Sequence, residues 1–203
     1  MEISIDLIKD LRQRTGAGVV DCKAALNETK GNVDAAIDYL RRKGLASAAK
    51  KAGRIATDGL VSSYIHAGGK MGVLVEINCE TDFVAKTEDF KGFVKNIAMH
   101  IAAANPQYIR REEVPAEVLE KEKEIYRTQA LESGKPEKVI GKIVEGKLER
   151  FYSEVCILEQ TYVKDSDLTI REVLDAMIAK VGENVTIRRF ARFQLGEGLQ
   201  SRS

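Results

Sequence analysis

The chain has 203 residues, 44% hydrophobic and 31% charged, enough to bury a core in one or two domains and too apolar for a disordered segment. Lys and Arg (32) nearly cancel Asp and Glu (31), so no global field draws the protein to nucleic acid. Its three cysteines, Cys22, Cys79 and Cys156, lie far apart with no CxxC spacing, which excludes a disulfide frame or zinc site and points to reduced core thiols.

No apolar run approaches the ~20 residues of a membrane span, and Met1–Asp6 lacks the basic start of a signal peptide. The expectation is a cytoplasmic protein. Ser4 is a good N-cap for a first helix carrying Leu7, Ile8 and Leu11, which Thr15-Gly16-Ala17-Gly18 breaks. A second short helix starts at Val19, with Val19, Cys22 and Leu26 on one side. Asn32 caps a third, with Val33, Ala36, Ile37 and Leu40 at helical spacing and Gly44 as its left-handed stop. Gly16 and Gly18 lack the third glycine and the preceding strand of a dinucleotide fingerprint, so they read as a tight helix-to-helix turn. One of the adjacent valines Val19 and Val20 must point away from the bundle. Six basic residues and no acid lie between Arg41 and Arg54 (Arg41, Arg42, Lys43, Lys50, Lys51, Arg54), on an alanine-rich linker helix. That face is solvated, or else it touches RNA or an acidic partner. The domain boundary is expected near Ile55, giving 1–55 as a helical bundle with its basic linker and 56–203 as a core domain.

In the core domain, Gly59–His66 alternates as a strand, Ala67-Gly68-Gly69-Lys70 makes a hairpin turn, and Met71, Val73, Val75, Ile77 and Cys79 form the apolar face of the return strand. Thr87 caps a helix striped by Phe90, Phe93, Val94, Ile97, Ala98 and Ile101, ending at Asn105-Pro106. His100 lies at the stripe's edge with no nucleophile or carboxylate at catalytic spacing, so it reads as a partly buried, satisfied histidine rather than a catalytic or metal-bound one. Two helices then form a hairpin broken at Gly134-Lys135-Pro136, the second striped from Val139 to Val155. Thr169–Glu172 is a capping box for a helix ending at Gly182. The last element is a strand from Val185 to Leu195, alternating Val185, Ile187, Arg189, Ala191, Phe193 and Leu195 against Thr186, Arg188, Phe190, Arg192 and Gln194. The fold class is therefore α+β: an N-terminal three-helix bundle, then a small antiparallel sheet packed with helices.

Between the hairpin and its helix lies Glu80-Thr81-Asp82-Phe83-Val84-Ala85-Lys86. A Phe just after a strand end stands where loops present residues to a partner, although the same pattern fits a turn that tucks its Phe into the local core. Together with Thr15-Gly16-Ala17-Gly18, Asp21–Leu26, Ala48–Ala52, Val75–Ala85 and Arg192–Gly198, this stretch resembles the bacterial elongation factor Ts family in its short form, which exchanges guanine nucleotide on elongation factor Tu. The resemblance implies a ubiquitin-associated-like N-terminal bundle and no chemical catalysis or cofactor. It implies that Thr81, Asp82, Phe83 and Val84 bind the partner and displace its Mg²⁺, with Phe83 as a wedge, and that Arg12, Val19 and Val20 dock the N-terminal domain. Valines stand where the family usually has methionines, keeping apolar character but losing reach. A single core subdomain implies a homodimer, with the last strand as its seam. Ala191 carries no thiol to lock that seam. The rival readings are a simple helical recognition module and an RNA-binding protein acting through Arg41–Arg54; an enzyme has the least support.

Overall fold

The computed structural model describes residues 3–199, which divide into two compact units. The first holds residues up to Ser62, Val75–Asn96 and Glu172–Arg188; the second holds Ser63–Leu74, Ile97–Arg171 and residues from Arg189 on. The class is α+β, as expected.

The first unit begins with helices α1 (Ile5–Thr15), α2 (Val19–Glu28) and α3 (Val33–Lys51). Ser4 Oγ accepts from the Leu7 amide at 3.3 Å and Asn32 Oδ1 from the Ala35 amide at 3.0 Å, so both expected caps form. Gly16, at φ 68°, ends α1 in the left-handed conformation. Leu11, Cys22, Ala25, Leu26 and Ala36 are buried in the bundle core, with Leu7, Ile8, Ile37 and Leu40 packed around them. Gly44 does not stop the third helix. It is helical and buried, and a Cβ placed there would lie 3.7 Å from that of Ala179 in helix α8 (Ile170–Val181). Gly44 therefore serves contact between α3 and α8, and the third helix and the basic linker are one element. Arg41 on α3 also meets Glu172 on α8 at 2.5 Å.

Strands β1 (Asp58–Ile65), β2 (Met71–Cys79) and β5 (Val185–Gln194) form one sheet in the order β1-β2-β5. The expected hairpin closes through His66 N–H to Met71 O at 2.9 Å. Gly59 needs its missing side chain: its φ is 140° and an added Cβ would overlap the carbonyl of Ile77. On β2, Val73, Val75, Ile77 and Cys79 are buried, as their alternation requires. β5 departs from the expected strict alternation. Val185 and Ile187 are buried, Arg188 and Arg189 are both exposed, and Phe190 and Arg192 are then more sheltered than Ala191 and Phe193. The inward face signalled by Val185 and Ile187 is therefore not continued by Arg189, Ala191 and Phe193, all of which are exposed.

In the second unit, α6 (Ala116–Glu132) and α7 (Glu137–Val155) form the expected hairpin, with Lys147 of α7 donating to Gln129 of α6 at 2.6 Å. Arg111 bonds Glu149 and Glu159 and stacks 4.5 Å over the Tyr152 ring. β3 (Thr161–Tyr162) and β4 (Asp165–Thr169) pair antiparallel. They were not expected, because a two-residue strand has no period to read.

Helix α5 (Glu88–Ala104) starts where Thr87 Oγ1 accepts from the Phe90 amide at 3.2 Å. His100 on this helix is fully buried rather than partly so. Its Nδ1 accepts from the Val163 amide at 3.4 Å, which leaves Nε2–H to donate to Gln160 Oε1 at 2.9 Å. Gln160 donates in turn to Glu154 O at 2.7 Å and Ala104 O at 3.3 Å. Burial holds the imidazole below its ordinary pKa of 6.5, against the opposing effect of Gln160. Below pH 6.5 the unfolded chain therefore binds a proton that the folded one resists, and stability falls as pH falls. We predict that stability drops less steeply between pH 7 and pH 5 in His100→Gln than in wild type, measured by denaturant unfolding, even if the variant is roughly 1–3 kcal/mol weaker at pH 7.

Candidate partner-binding site

The end of β2 is fixed before the site begins. Ile77, Asn78 and Cys79 are buried, and Asn78 Nδ2 donates to Asp58 O at 3.2 Å. Beyond Glu80 and Thr81 the chain makes a single helical turn, α4 (Asp82–Ala85), in place of the loop expected from sequence. Thr81 is its N-cap, in extended conformation, with Oγ1 accepting from the Val84 amide at 3.5 Å. Ala85 is buried and anchors the turn, while Phe83 is 80% exposed. Val84 is half-buried and Asp82 is exposed. Of the two sequence readings for Phe83, local burial does not hold, because the ring is exposed.

A four-residue helix has too few hydrogen bonds to offset the cost of nucleation, so its shape must be imposed from outside. The turn after α8 imposes it. Glu183 Oε2 accepts from the backbone amides of Glu80 (3.1 Å) and Thr81 (3.0 Å), and Oε1 accepts from the Thr81 hydroxyl at 2.6 Å. The contact is reciprocal: Glu80 Oε1 accepts from the Asn184 amide at 2.6 Å. Arg54 completes the knot, donating to Glu80 Oε1 at 3.4 Å while its carbonyl accepts from Asn184 Nδ2 at 2.7 Å. Segments 54, 80–81 and 183–184 are thus joined by hydrogen bonds. Those from backbone amides and the Thr81 hydroxyl to the Glu80 and Glu183 carboxylates are charge-assisted and worth roughly 1.5–3 kcal/mol each when partly buried. Thr81 Oγ1 donates to Glu183 and accepts from Val84, passing the constraint into α4.

The surrounding charges are simple. Cys79 donates to Thr81 O at 3.2 Å, and its thiol is pushed up to about 11, first by burial and then by the Glu183 charge. It is protonated at neutral pH and not a nucleophile. Asp82 pairs with Lys86 at 2.5 Å, and the bond to Asp82 raises the Lys86 pKa. Both side chains are more than half exposed, so the pair is weak and can be exchanged for another partner. Among the described residues no group of three His, Cys, Asp or Glu side chains is arranged to hold a metal ion, and no helix is long and apolar enough to cross a membrane.

The N-terminal residues form a separate group. Arg12, in the last turn of α1, is exposed, and Val19 and Val20 open α2 at 50% and 81% exposure. They flank a turn held by Thr15, whose hydroxyl donates to Leu11 O at 2.7 Å and accepts from the Ala17 amide at 3.3 Å. Three of the six basic residues of the segment pair with acids: Arg41 with Glu172, Lys43 with Asp21 at 2.8 Å and Arg54 with Glu80. Those pairs weaken the RNA-binding reading. Sequence reasoning missed Glu183. Its only local signal is a carboxylate after a helix-ending glycine, and nothing links it to a loop a hundred residues earlier.

Comparison with known proteins points to one family. Residues 48–197 match the family model described as Elongation factor TS. The chain is 62% identical over 202 residues to "Elongation factor Ts" of Geobacter sulfurreducens, covering 100% of this chain and 94% of that one. It is 63% identical over 201 residues to the protein of the same name from Desulforamulus reducens, covering 99% and 93%. For that of Caldanaerobacter subterraneus the identity is 64% over 198 residues, covering 98% and 99%.

Because Phe83 contributes almost nothing to the folded core, Phe83→Ala is expected to leave the unfolding free energy within about 0.5 kcal/mol of wild type. Urea unfolding checks this, and a larger loss would mean that the ring supports the fold.

Proposed function

The chain belongs to the elongation factor Ts family, and on that premise we propose that it binds elongation factor Tu·GDP, displaces Mg²⁺ and promotes exchange of GDP for GTP. The observation that carries the reading is Phe83, 80% exposed on a turn clamped by buried and charged contacts. An exposed aromatic on a fixed support does nothing for the fold, but it gains roughly 2 kcal/mol or more on entering a partner's pocket. Phe83 acts as the wedge between partner helices beside the magnesium site. Asp82 gives up Lys86 and bonds the displaced partner segment; Thr81 and Val84 shape the turn. Loss of Mg²⁺ leaves the diphosphate charge uncompensated, and GDP leaves. Arg12, Val19 and Val20 dock the N-terminal domain, residues 1–55, on the same GTPase. The core domain, 56–203, carries the wedge.

No covalent bond changes in this scheme, so the protein works as an exchange factor in the cytoplasm without a cofactor of its own. Nucleotide and factor weaken each other's binding by one ratio, and incoming GTP expels the factor. Phe83→Ala is expected to cut the acceleration of fluorescent GDP release from elongation factor Tu at least tenfold, the loss typical of a central anchor. Wild-type acceleration by the variant would remove Phe83 from the mechanism.

A homodimer completes the reading. β5 lies at one edge of its sheet, and in the second unit Ile65, Leu74, Phe193 and Leu195 are 65%, 49%, 71% and 77% exposed along one shallow groove. A second copy brings the same apolar face and the same unpaired strand edge, so the two satisfy each other. Sedimentation should give about twice the 22.5 kDa chain mass for wild type and a single chain for Phe193→Asp combined with Leu74→Asp. A monomeric wild type rules the dimer out.

A further inference from the structure

We infer that Glu183 is a positioning residue for exchange, holding Phe83 in its binding-competent orientation from a different part of the chain. The inference rests on the exchange reading and extends it to a residue outside the loop that carries the ring. Three donors converge on one carboxylate: the Glu80 amide, the Thr81 amide and the Thr81 hydroxyl, at 3.1, 3.0 and 2.6 Å. These groups lie immediately before α4, where the chain leaves β2 and no sheet partner remains to fix its direction. Without the carboxylate, the Thr81 hydroxyl keeps a 3.5 Å bond to Val84, and its carbonyl keeps the Cys79 thiol and the Ala85 amide at 3.2 and 3.3 Å. All of these contacts are local, and α4 is too short to persist by itself.

Glu183 is itself held from behind. It follows Gly182, whose φ of 76° turns the chain out of α8, and precedes Asn184, buried and bonded to Glu80 and Arg54. A carboxylate on such a support directs Thr81, and Thr81 directs the turn that carries Phe83. The energetic role is preorganisation: the loop is ordered before binding, so ordering it takes nothing from the binding free energy. Loss of the clamp leaves the loop competent for only a fraction of the time, and the exchange rate falls to that fraction of its value.

The test is a double-mutant cycle on fluorescent GDP release from elongation factor Tu at saturating factor, with wild type, Glu183→Ala, Phe83→Ala and the double variant. Glu183→Ala is expected to lower the maximal release rate roughly tenfold. Its affinity for the GDP-bound partner, read separately, should change less than about threefold because other contacts are intact. In the Phe83→Ala background Glu183→Ala should have no further effect, since there is no ring left to position. Glu183→Gln, which keeps the shape and one acceptor, should recover part of the rate. If Glu183→Ala matches wild type, or lowers the rate equally in both backgrounds, the positioning role is overturned while the exchange reading stands. If wild type itself fails to accelerate release, the exchange reading falls, and the inference with it.

Discussion

A carboxylate that accepts three hydrogen bonds is the constraint on which the candidate site depends. The Glu183 carboxylate gathers the last donors of β2's exit, and Glu80 returns the contact to Asn184. The exchange ties two chain segments about a hundred residues apart in sequence through hydrogen bonds of two carboxylates. Everything beyond it is short: Thr81 caps four helical residues, and those residues place one buried methyl, Ala85, against one exposed ring, Phe83. Placing the ring on a hydrogen-bonded knot rather than in a core leaves it free of packing duties, and therefore free to pack elsewhere.

The charges nearby divide by what they hold. Glu183 and Glu80 are tied to backbone amides, which fixes geometry, whereas Asp82 and Lys86 form an exposed helix pair that contributes little to stability. A group that is to meet a partner has to be released cheaply, and a group that supports it has to stay. The same division holds in α3. Arg41 and Lys43 meet acids of α8 and α2, so a segment that looks strongly basic in sequence is partly matched within the fold.

Where a residue's role is set by its neighbours in sequence, it was legible. The caps Ser4, Asn32 and Thr87, the stripes of α1 and α5, and the β1–β2 hairpin all follow from local pattern, whereas the position of Phe83 after a strand fitted an exposed ring and a tucked one equally. Where distant contacts decide, it was not. Gly44 has the composition of a helix stop, but contact with Ala179 keeps it helical. The alternation of β5 marks Arg189, Ala191 and Phe193 as continuing the face of Val185 and Ile187. Yet all three are exposed, because what covers a strand face is set by distant segments. His100 sits at the edge of an apolar stripe, yet Gln160 and Val163, from another segment, complete its burial. Glu183 belongs to the same class.

The central claim is that this chain and GDP compete for elongation factor Tu through the Phe83 loop. Calorimetric titration of the protein into nucleotide-free and into GDP-loaded elongation factor Tu tests it most directly. The account predicts much tighter binding to the nucleotide-free form, by a ratio equal to that by which the protein weakens GDP binding. Equal affinity for the two forms would leave a protein that recognises its partner without acting on the nucleotide, and would contradict the account.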